Sequence, residues 1–410
     1  MLPPSVLPYP EKTPGNLLDQ SQISKHMQPH QPVLKVIGLG GGGCNAVERM
    51  IELGLSGIEF LVANTDIQAL ETYSAPTKIR LGPTITRGLG AGGDPRIGQL
   101  AAEESSSELA AALSGADMVF LTAGMGGGTG TGSIPVVAEI ARQVGAVTIA
   151  IVTTPFTFEM GRRQRNASEG LARLRGKTHT LISIPNDRLL YVAPRDLPME
   201  TAFRLADDVL RQAVQGITEL ITEPGMINVD FAHIRRLIQI GGGALMTIGQ
   251  GSGENKTTDA LQQALHHPLL ENLSLDSAQG IIANFTGGQN LTLSEVQEAL
   301  DELQRMAGGE TEIVMGVIND NRLGDRVQII LVITGLGAPT LEDAMSSVKK
   351  PTQQDKSHID TGVTSRPTNS IPVEKTPLDY QTVSYPVEAA VNSQSLDLPA
   401  FLRRRLRTSD

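Results

Sequence analysis

The chain has 410 residues, a mass of 43.6 kDa, a formal net charge of −10 and a pI near 5.3. That acidic balance disfavours nonspecific nucleic-acid binding, which rests on phosphate neutralisation, and 3% aromatics with no Trp offer no base-stacking platform. One cysteine, Cys44, excludes an intramolecular disulfide and fits a reducing compartment, so the expectation is a soluble cytoplasmic protein that needs no covalent staple.

Residues 1–32 are rich in Pro, Gln, Ser and His, without periodicity, and read as a disordered arm with no basic-then-apolar leader pattern. From Val33 short β-branched runs appear at Val33–Ile37, Ile58–Val62, Lys78–Leu81, Asp117–Thr122, Ala146–Val152 and His179–Ile184, with helix-type stretches between several of them. Strands alternating with helices predict an α/β unit over 33–200, a mostly parallel sheet covered by helices on both faces. Residues 201–222 carry Ala206, Val209, Leu210, Ala213, Ile217, Leu220 and Ile221 at helical spacing and stop at Pro224-Gly225. Apolar residues off that stripe (Phe203, Leu205, Val214) predict a long central helix over 201–225, buried on several sides.

Four further strand-like runs, Ala244–Ile248, Ile281–Phe285, Ile313–Ile318 and Val327–Ile333, with two or three helices, predict a second α+β domain over 226–338. Ser294 and Gln297 have the spacing of a capping box ahead of Val296, Ala299, Leu300 and Leu303. Residues 339–395 have linker composition. The last stretch, 396–410, sets Leu396, Leu398, Phe401 and Leu402 beside four arginines and reads as a docking peptide with a basic tail, against the plainer reading of a solvated end.

Two glycine clusters carry the chemistry. The first, Val36-Ile-Gly-Leu-Gly-Gly-Gly-Gly-Cys-Asn45, follows a strand and leads into a helix predicted over Ala46–Leu53. Gly38, Gly40 and Gly43 satisfy G-x-G-x-x-G, which bares backbone for a phosphate at a positive helix N-terminus. The plainer reading is tight strand–helix packing. The second cluster, Gly124-Met-Gly-Gly-Gly-Thr-Gly-Thr-Gly132, also follows a strand and precedes a helix expected to hold Pro135 in its first turn. Two such loops in one domain can cup a single polyphosphate from two sides. A dinucleotide dehydrogenase, with Glu59 as its acid, would leave the second loop without a role, and neither loop has the Walker pattern.

GGGTGTG is a specific signal, and with the remaining motifs the chain resembles the tubulin/FtsZ family, in particular its bacterial cell-division members, over about residues 33–338 and the terminal peptide. That resemblance implies a GTP-binding domain, polymerisation-dependent hydrolysis of GTP to GDP, and Mg²⁺ held mainly by phosphates and water rather than by a protein metal site. It implies nucleotide contacts at Gly41, Gly42, Gly43, Cys44 and Asn45, and phosphate contacts at Gly128, Thr129, Gly130 and Thr131, with Ala91-Gly92 as further phosphate-loop positions. Asp66, within Asn64-Thr65-Asp66, falls near the γ-phosphate and magnesium; Glu159 and Arg163 fall at the ribose and phosphates; Asn186, Phe203 and Asp207 fall at the base. Phe203 can stack on a purine, and the Asp207 carboxylate can accept from guanine N1–H and its amino group, a donor pair adenine lacks. Cys44 stands where the family usually has glycine. A helix N-terminus can activate a thiol, while the plainer reading is a small tolerated residue.

The third motif, Asn228-Val-Asp-Phe-Ala-His-Ile-Arg235, resembles the family's catalytic loop, which a head-to-tail neighbour inserts over the nucleotide. Asp230 would orient the attacking water, and Asn228 belongs to the same loop. By composition alone, Asn228 and Asp230 cap a helix whose apolar face is Phe231, Ile234 and Leu237. The family's second acid is here His233, which can take a proton, with a reference pKa of about 6.5, but brings no negative charge. The glycine-rich Ile238–Gly243 also departs from the family pattern. The implied partners are copies of the same chain in filaments, and membrane-tethering and regulatory division proteins at Leu396–Arg405, with no nucleic acid and only indirect membrane contact. The implied setting is the cytoplasm at the division site. The alternative is a division-associated paralogue that binds GTP and co-polymerises but hydrolyses slowly.

Overall fold

The computed structural model describes residues 31–336 apart from 160, 193–197, 224, 228, 241, 267–274, 276–277 and 309–310. Residues 1–30 of the arm expected over 1–32, the linker over 339–395, the docking peptide with Leu396–Arg405, and Asn228 lie outside the described residues.

The first half alternates as expected. The strands are β1 (Leu34–Leu39), β2 (Glu59–Asn64), β3 (Thr77–Arg80), β4 (Met118–Gly124), β5 (Val147–Thr154) and β6 (Thr180–Pro185). Between them run α1 (Gly40–Glu52), α2 (Ile67–Glu71), α3 (Pro95–Glu104), α4 (Ser106–Leu113), α5 (Thr129–Gln143) and α6 (Arg162–Arg175). All six strands pair in parallel, in the order β3-β2-β1-β4-β5-β6. Successive strand residues point to opposite faces, and the core divides accordingly. Val36, Phe120, Ile149 and Ile151 join one cluster, and Ile37, Val119, Leu121 and Ala150 join the other. Both faces of these strands are covered, so the strands read as near-continuous apolar runs rather than alternating ones.

After α7 (Asn186–Val192), helix α8 (Met199–Thr222) runs 24 residues, about 36 Å. Its Ala206, Leu210, Ala213, Val214 and Ile217 sit in one cluster with strand residues of β1, β4 and β5. Then follow α9 (Phe231–Gln239), β7 (Gly242–Ser252), α10 (Lys256–Leu265), β8 (Gly280–Gly287), α11 (Leu293–Ala307), β9 (Glu312–Asn319) and β10 (Arg326–Leu336). Ile282, Ile330 and Val332 of β8 and β10 belong to the same cluster as α8, so the helix is core to both halves. Full burial of each such Leu or Ile contributes roughly 1.5–3 kcal/mol, and the shared helix therefore fixes the two halves to one another.

The sheet is continuous across that junction. Thr180, Leu181 and Ile182 pair in parallel with Gly242, Gly243 and Ala244, extending the order through β7-β10-β8-β9. One side of α8 differs from the expected apolar strut. Asp208, Arg211, Gln212, Gln215 and Glu219 line a polar crevice of about 480 Å³ against Asn319, Asp320, Arg322 and Gln328. The capping box of α11 is also shifted. Thr292 Oγ1 accepts from Glu295 N–H at 3.3 Å and Glu295 Oε2 accepts from Thr292 N–H at 2.8 Å, so the pair is Thr292–Glu295, not Ser294–Gln297. The box begins one residue before Leu293, the first residue with helical geometry. No helix of the described residues is long and apolar enough to cross a membrane.

Candidate nucleotide site

The strand order reverses direction between β1 and β4, and ligands of open α/β sheets bind at the carboxyl ends of strands at such a switch point. Both glycine clusters leave the sheet there. In each, the helix starts earlier than the sequence suggested. α1 begins at Gly40, not Ala46, so the glycines are its first turn rather than a loop. α5 begins at Thr129, which leaves Pro135 inside the helix rather than in its first turn.

This shift reassigns the glycines. A methyl at Gly38 would stand 2.4 Å from the Gly43 carbonyl oxygen, and one at Gly43 would stand 2.2 Å from the Thr122 carbonyl oxygen. Gly40 has a positive φ of 67° and lies 2.7 Å, by the same measure, from the Gly130 amide. The three motif glycines thus serve close packing, as the plainer reading held. A methyl at Gly41 or Gly127 meets nothing within 4 Å. Those two, with half-exposed Gly42, form the open floor of a cradle.

The cradle is rich in unpaired donors. With Leu39 as N-cap of α1, the i→i−4 ladder leaves the Gly40, Gly41 and Gly42 amides free. In α5 the ladder starts with Gly132 N–H onto the Gly128 carbonyl at 3.0 Å, which leaves Thr129, Gly130 and Thr131. Neither helix has a side-chain cap. The contact between Gly40 and Gly130 brings the two positive helix ends together, and an anion bridging them satisfies both.

A third segment closes the cradle. A methyl at Gly128 would stand 2.9 Å from Ala91 Cβ and from the Asp94 amide, so Ala91-Gly92-Gly93 packs directly on the second cluster. Asn166 of α6 clamps both by donating to the Gly93 and Gly126 carbonyls at 3.2 Å each. Asp94 caps α3, and hydrogen bonds from Arg96 lower its carboxyl to about 2. Thr131 is fully buried, and its hydroxyl accepts from Gly126 N–H at 2.8 Å, shaping the loop from within.

The remaining expected residues fall around this cradle. Asp66 caps α2 by accepting from Ala69 N–H at 3.2 Å. Glu159 accepts from Phe156 N–H at 2.9 Å and pairs with Arg163 at 2.8 Å. Phe203 meets Phe156 edge-on at 5.5 Å between ring centroids. Asn186 is 5% exposed, and its Oδ1 has no hydrogen-bond partner among the described residues, a buried acceptor that a ligand can satisfy. Asp207 lines a small recess with Asn45, Glu48, Arg49, Glu52, Tyr73 and Arg204. An orphaned acceptor, two open glycines and two uncapped helix ends are features a nucleotide fits.

Three expected contacts change character. Gly43 is a packing residue, and in a helix starting at Gly40 its amide belongs to the ladder. Cys44 is fully buried, its thiol bonded to the Gly38 and Ala63 carbonyls at 3.4 and 3.6 Å. Burial pushes that thiol far above the ordinary range, with Glu48 adding to the effect, so it is neither a ligand nor a reactive group. Asn45 Oδ1 accepts from the buried Tyr73 hydroxyl at 2.8 Å, which leaves its amide group for the recess. Tyr73 and Asn166 were invisible to sequence reasoning, because their partners lie 28 and at least 40 residues away.

The third motif lies elsewhere. α8 runs from the recess at Asp207 to Thr222, which touches Gly57 just before β2, at the opposite edge of the sheet. α9 sits at that far edge. Thr180, the first residue of β6, donates its hydroxyl to the Ile238 carbonyl at 2.8 Å, and Arg236 pairs with Glu312, the first residue of β9. Asp230 is the N-cap residue of α9, yet its side chain makes no cap hydrogen bond, against the capping role expected from composition. Asp230 and His233 are both exposed. Among the described residues no cluster of three His, Cys, Asp or Glu side chains is assembled that could hold a metal ion.

Comparison with known proteins agrees with this architecture. Residues 33–194 match the tubulin/FtsZ family GTPase domain, and residues 242–337 match the FtsZ family C-terminal domain. An FtsZ dimer from M. jannaschii is 42% identical, with a TM-score of 0.73, covering 77% of this chain and 92% of that one. A point mutant of FtsZ from the same organism gives 42% identity and a TM-score of 0.73 over 77% of this chain and 95% of that one. CetZ2 of Haloferax volcanii, a protofilament with bound GTPγS, shares the fold at 18% identity and a TM-score of 0.65, covering 77% of this chain and 97% of that one. The two helix N-termini at the switch point, the shared central helix and the C-terminal sheet are thus those of a tubulin/FtsZ-type GTPase, and this chain belongs to the tubulin/FtsZ family.

Proposed function

We propose that this protein assembles head to tail into filaments of the cytokinetic ring in bacterial cell division, and that each GTP is hydrolysed at a site shared by two subunits. One observation carries the reading. The nucleotide cradle lies at the carboxyl edge of the strands, while Asp230 and His233 lie exposed at the opposite edge on α9. One copy cannot bring its own Asp230 to its own cradle, whereas a second copy stacked along the strand direction can. Such a contact joins different surfaces and does not close, so it propagates.

In this arrangement the Gly40–Gly42 and Thr129–Thr131 amides hold the polyphosphate. Asn186, Phe203 and Asp207 hold guanine. Glu159 and Arg163 border the ribose and phosphates, and Asp66 stands near the γ-phosphate. Mg²⁺, carried mainly by phosphate oxygens and water, supplies charge neutralisation at the phosphates. Asp230 of the incoming subunit orients the attacking water, and Asn228 belongs to the same loop. His233 stands where a second carboxylate would, and brings an imidazole in place of that charge. The setting we infer is the cytoplasm at the division site, with Leu396–Arg405 engaging membrane-tethering and regulatory division proteins.

GTP turnover measured against protein concentration, with sedimentation of the same samples, tests the reading. A threshold shared by phosphate release and pelleting is expected. Turnover proportional to protein concentration from the lowest dilution, with no pellet, overturns it.

A further inference from the structure

Thr65 follows β2 directly, outside both glycine clusters, and is 0% exposed. Its backbone is fully engaged. The amide donates to Asn64 Oδ1 at 2.9 Å, and the carbonyl accepts from Gly90 N–H at 3.1 Å. Its hydroxyl lies 2.6 Å from the Thr129 hydroxyl and has no other partner among the described residues. Thr129 is half-exposed and is the first residue of α5, where the free amides begin.

The direction of that hydrogen bond follows from burial. A hydroxyl has one proton and two acceptor lone pairs. Were Thr129 the donor, the Thr65 proton would be left buried with no acceptor, which is the costly arrangement for a group shut away from water. With Thr65 as donor, its proton is satisfied and the Thr129 proton is free. Among the described residues that proton meets no other acceptor, while a phosphate at the uncapped helix end offers one.

We propose that Thr65 is a positioning residue for nucleotide binding: its hydroxyl donates to Thr129 Oγ1 and so commits the Thr129 proton to a phosphate oxygen. The inference rests on the reading of the cradle as a guanine-nucleotide site. It acts through hydrogen-bond direction, not through contact of Thr65 with the ligand.

The test is GDP affinity of the full chain, by fluorescence competition, for Thr65→Val, Thr65→Ser, Thr129→Val and the Thr65→Val/Thr129→Val pair. Valine keeps the shape and removes the donor. We expect Thr65→Val to weaken GDP about three- to tenfold, Thr65→Ser to recover most of that loss, and Thr65→Val to add no further loss on the Thr129→Val background. Losses that add on that background mean Thr65 acts only structurally and overturn the proposal, as does a Thr65→Val protein with wild-type affinity. Should Thr65→Val fail to fold by circular dichroism, Thr65→Ala against Thr65→Ser makes the same comparison. Wild-type protein that binds no GDP overturns the functional reading, and this inference with it.

Discussion

Gly41 and Gly43 are two residues apart in the first turn of one helix, and the same substitution should act on them in opposite ways. A methyl at Gly43 points at the Thr122 carbonyl oxygen, 2.2 Å away, on the backbone of a central strand that cannot withdraw. Alanine gains up to about 1 kcal/mol over glycine from helix propensity, but overpacking costs about 1–3 kcal/mol, so Gly43→Ala is expected to destabilise the protein with or without nucleotide. Gly41 has open space around it and an ordinary φ, so Gly41→Ala should leave the unliganded protein as stable as the parent or slightly more so. That open space is the cradle. GDP at a hundred times its dissociation constant stabilises the native state by about 2.7 kcal/mol, or roughly 4 °C in melting temperature for a folded region of about 300 residues. The methyl of Gly41→Ala intrudes where phosphate approaches, and we expect most of that shift to disappear. The assay is thermal unfolding of the parent and both variants, each with and without GDP. A Gly41→Ala protein that keeps the whole GDP-induced shift would refute the placement of the phosphates on the first turn of α1.

Asp207→Ala should weaken GTP by about 1–3 kcal/mol, the cost of an unpaired buried hydrogen-bonding group, and narrow the preference for GTP over ATP in competition binding. Asp230→Asn should leave GTP binding within about twofold and lower turnover by about 10²–10⁴. In equimolar mixtures its nucleotide-bearing subunits should regain turnover when capped by wild-type copies. His233→Asp, which restores a carboxylate at that position, should raise the specific turnover of pelleted filaments, and an unchanged rate would show the imidazole to be an adequate substitute. Glu219, in the crevice beside α8, has its pKa raised by burial, with Glu223 and Asp320 adding repulsion against a hydrogen bond from Gln215. A raised acid contributes its full stability below the unfolded value of about 4.3 and loses it as pH rises through the folded value. Glu219→Gln should therefore raise the urea midpoint at pH 7 but not at pH 4. Equal gains at both would mean the effect is packing, not charge.

Much of the fold was legible in one dimension because its determinants are local. The strands of the parallel sheet are buried on both faces, which writes them as short apolar runs between helical stretches, and α8 announced itself through the spacing of Ala206, Leu210, Ala213 and Ile217. The two glycine clusters marked the cradle because bare backbone after a strand is itself a chemical requirement for phosphate approach. Which glycine does what was not legible. Gly38 and Gly43 differ from Gly41 only in what stands opposite: the Gly43 carbonyl for Gly38 and, for Gly43, the Thr122 carbonyl of a strand some eighty residues away. For the same reason Cys44 read as a phosphate-loop residue, while packing turns its thiol inward onto the Gly38 and Ala63 carbonyls. The Thr65–Thr129 hydroxyl pair spans 64 residues and exists only once β2 and β4 flank β1. The sequence by itself therefore determined the element order, the central helix and the residue types that meet a nucleotide. Tertiary structure alone decided that Asp230 and the cradle sit at opposite edges of the sheet, because a helix of about 36 Å running from one edge to the other separates groups that the chain order merely lists in sequence.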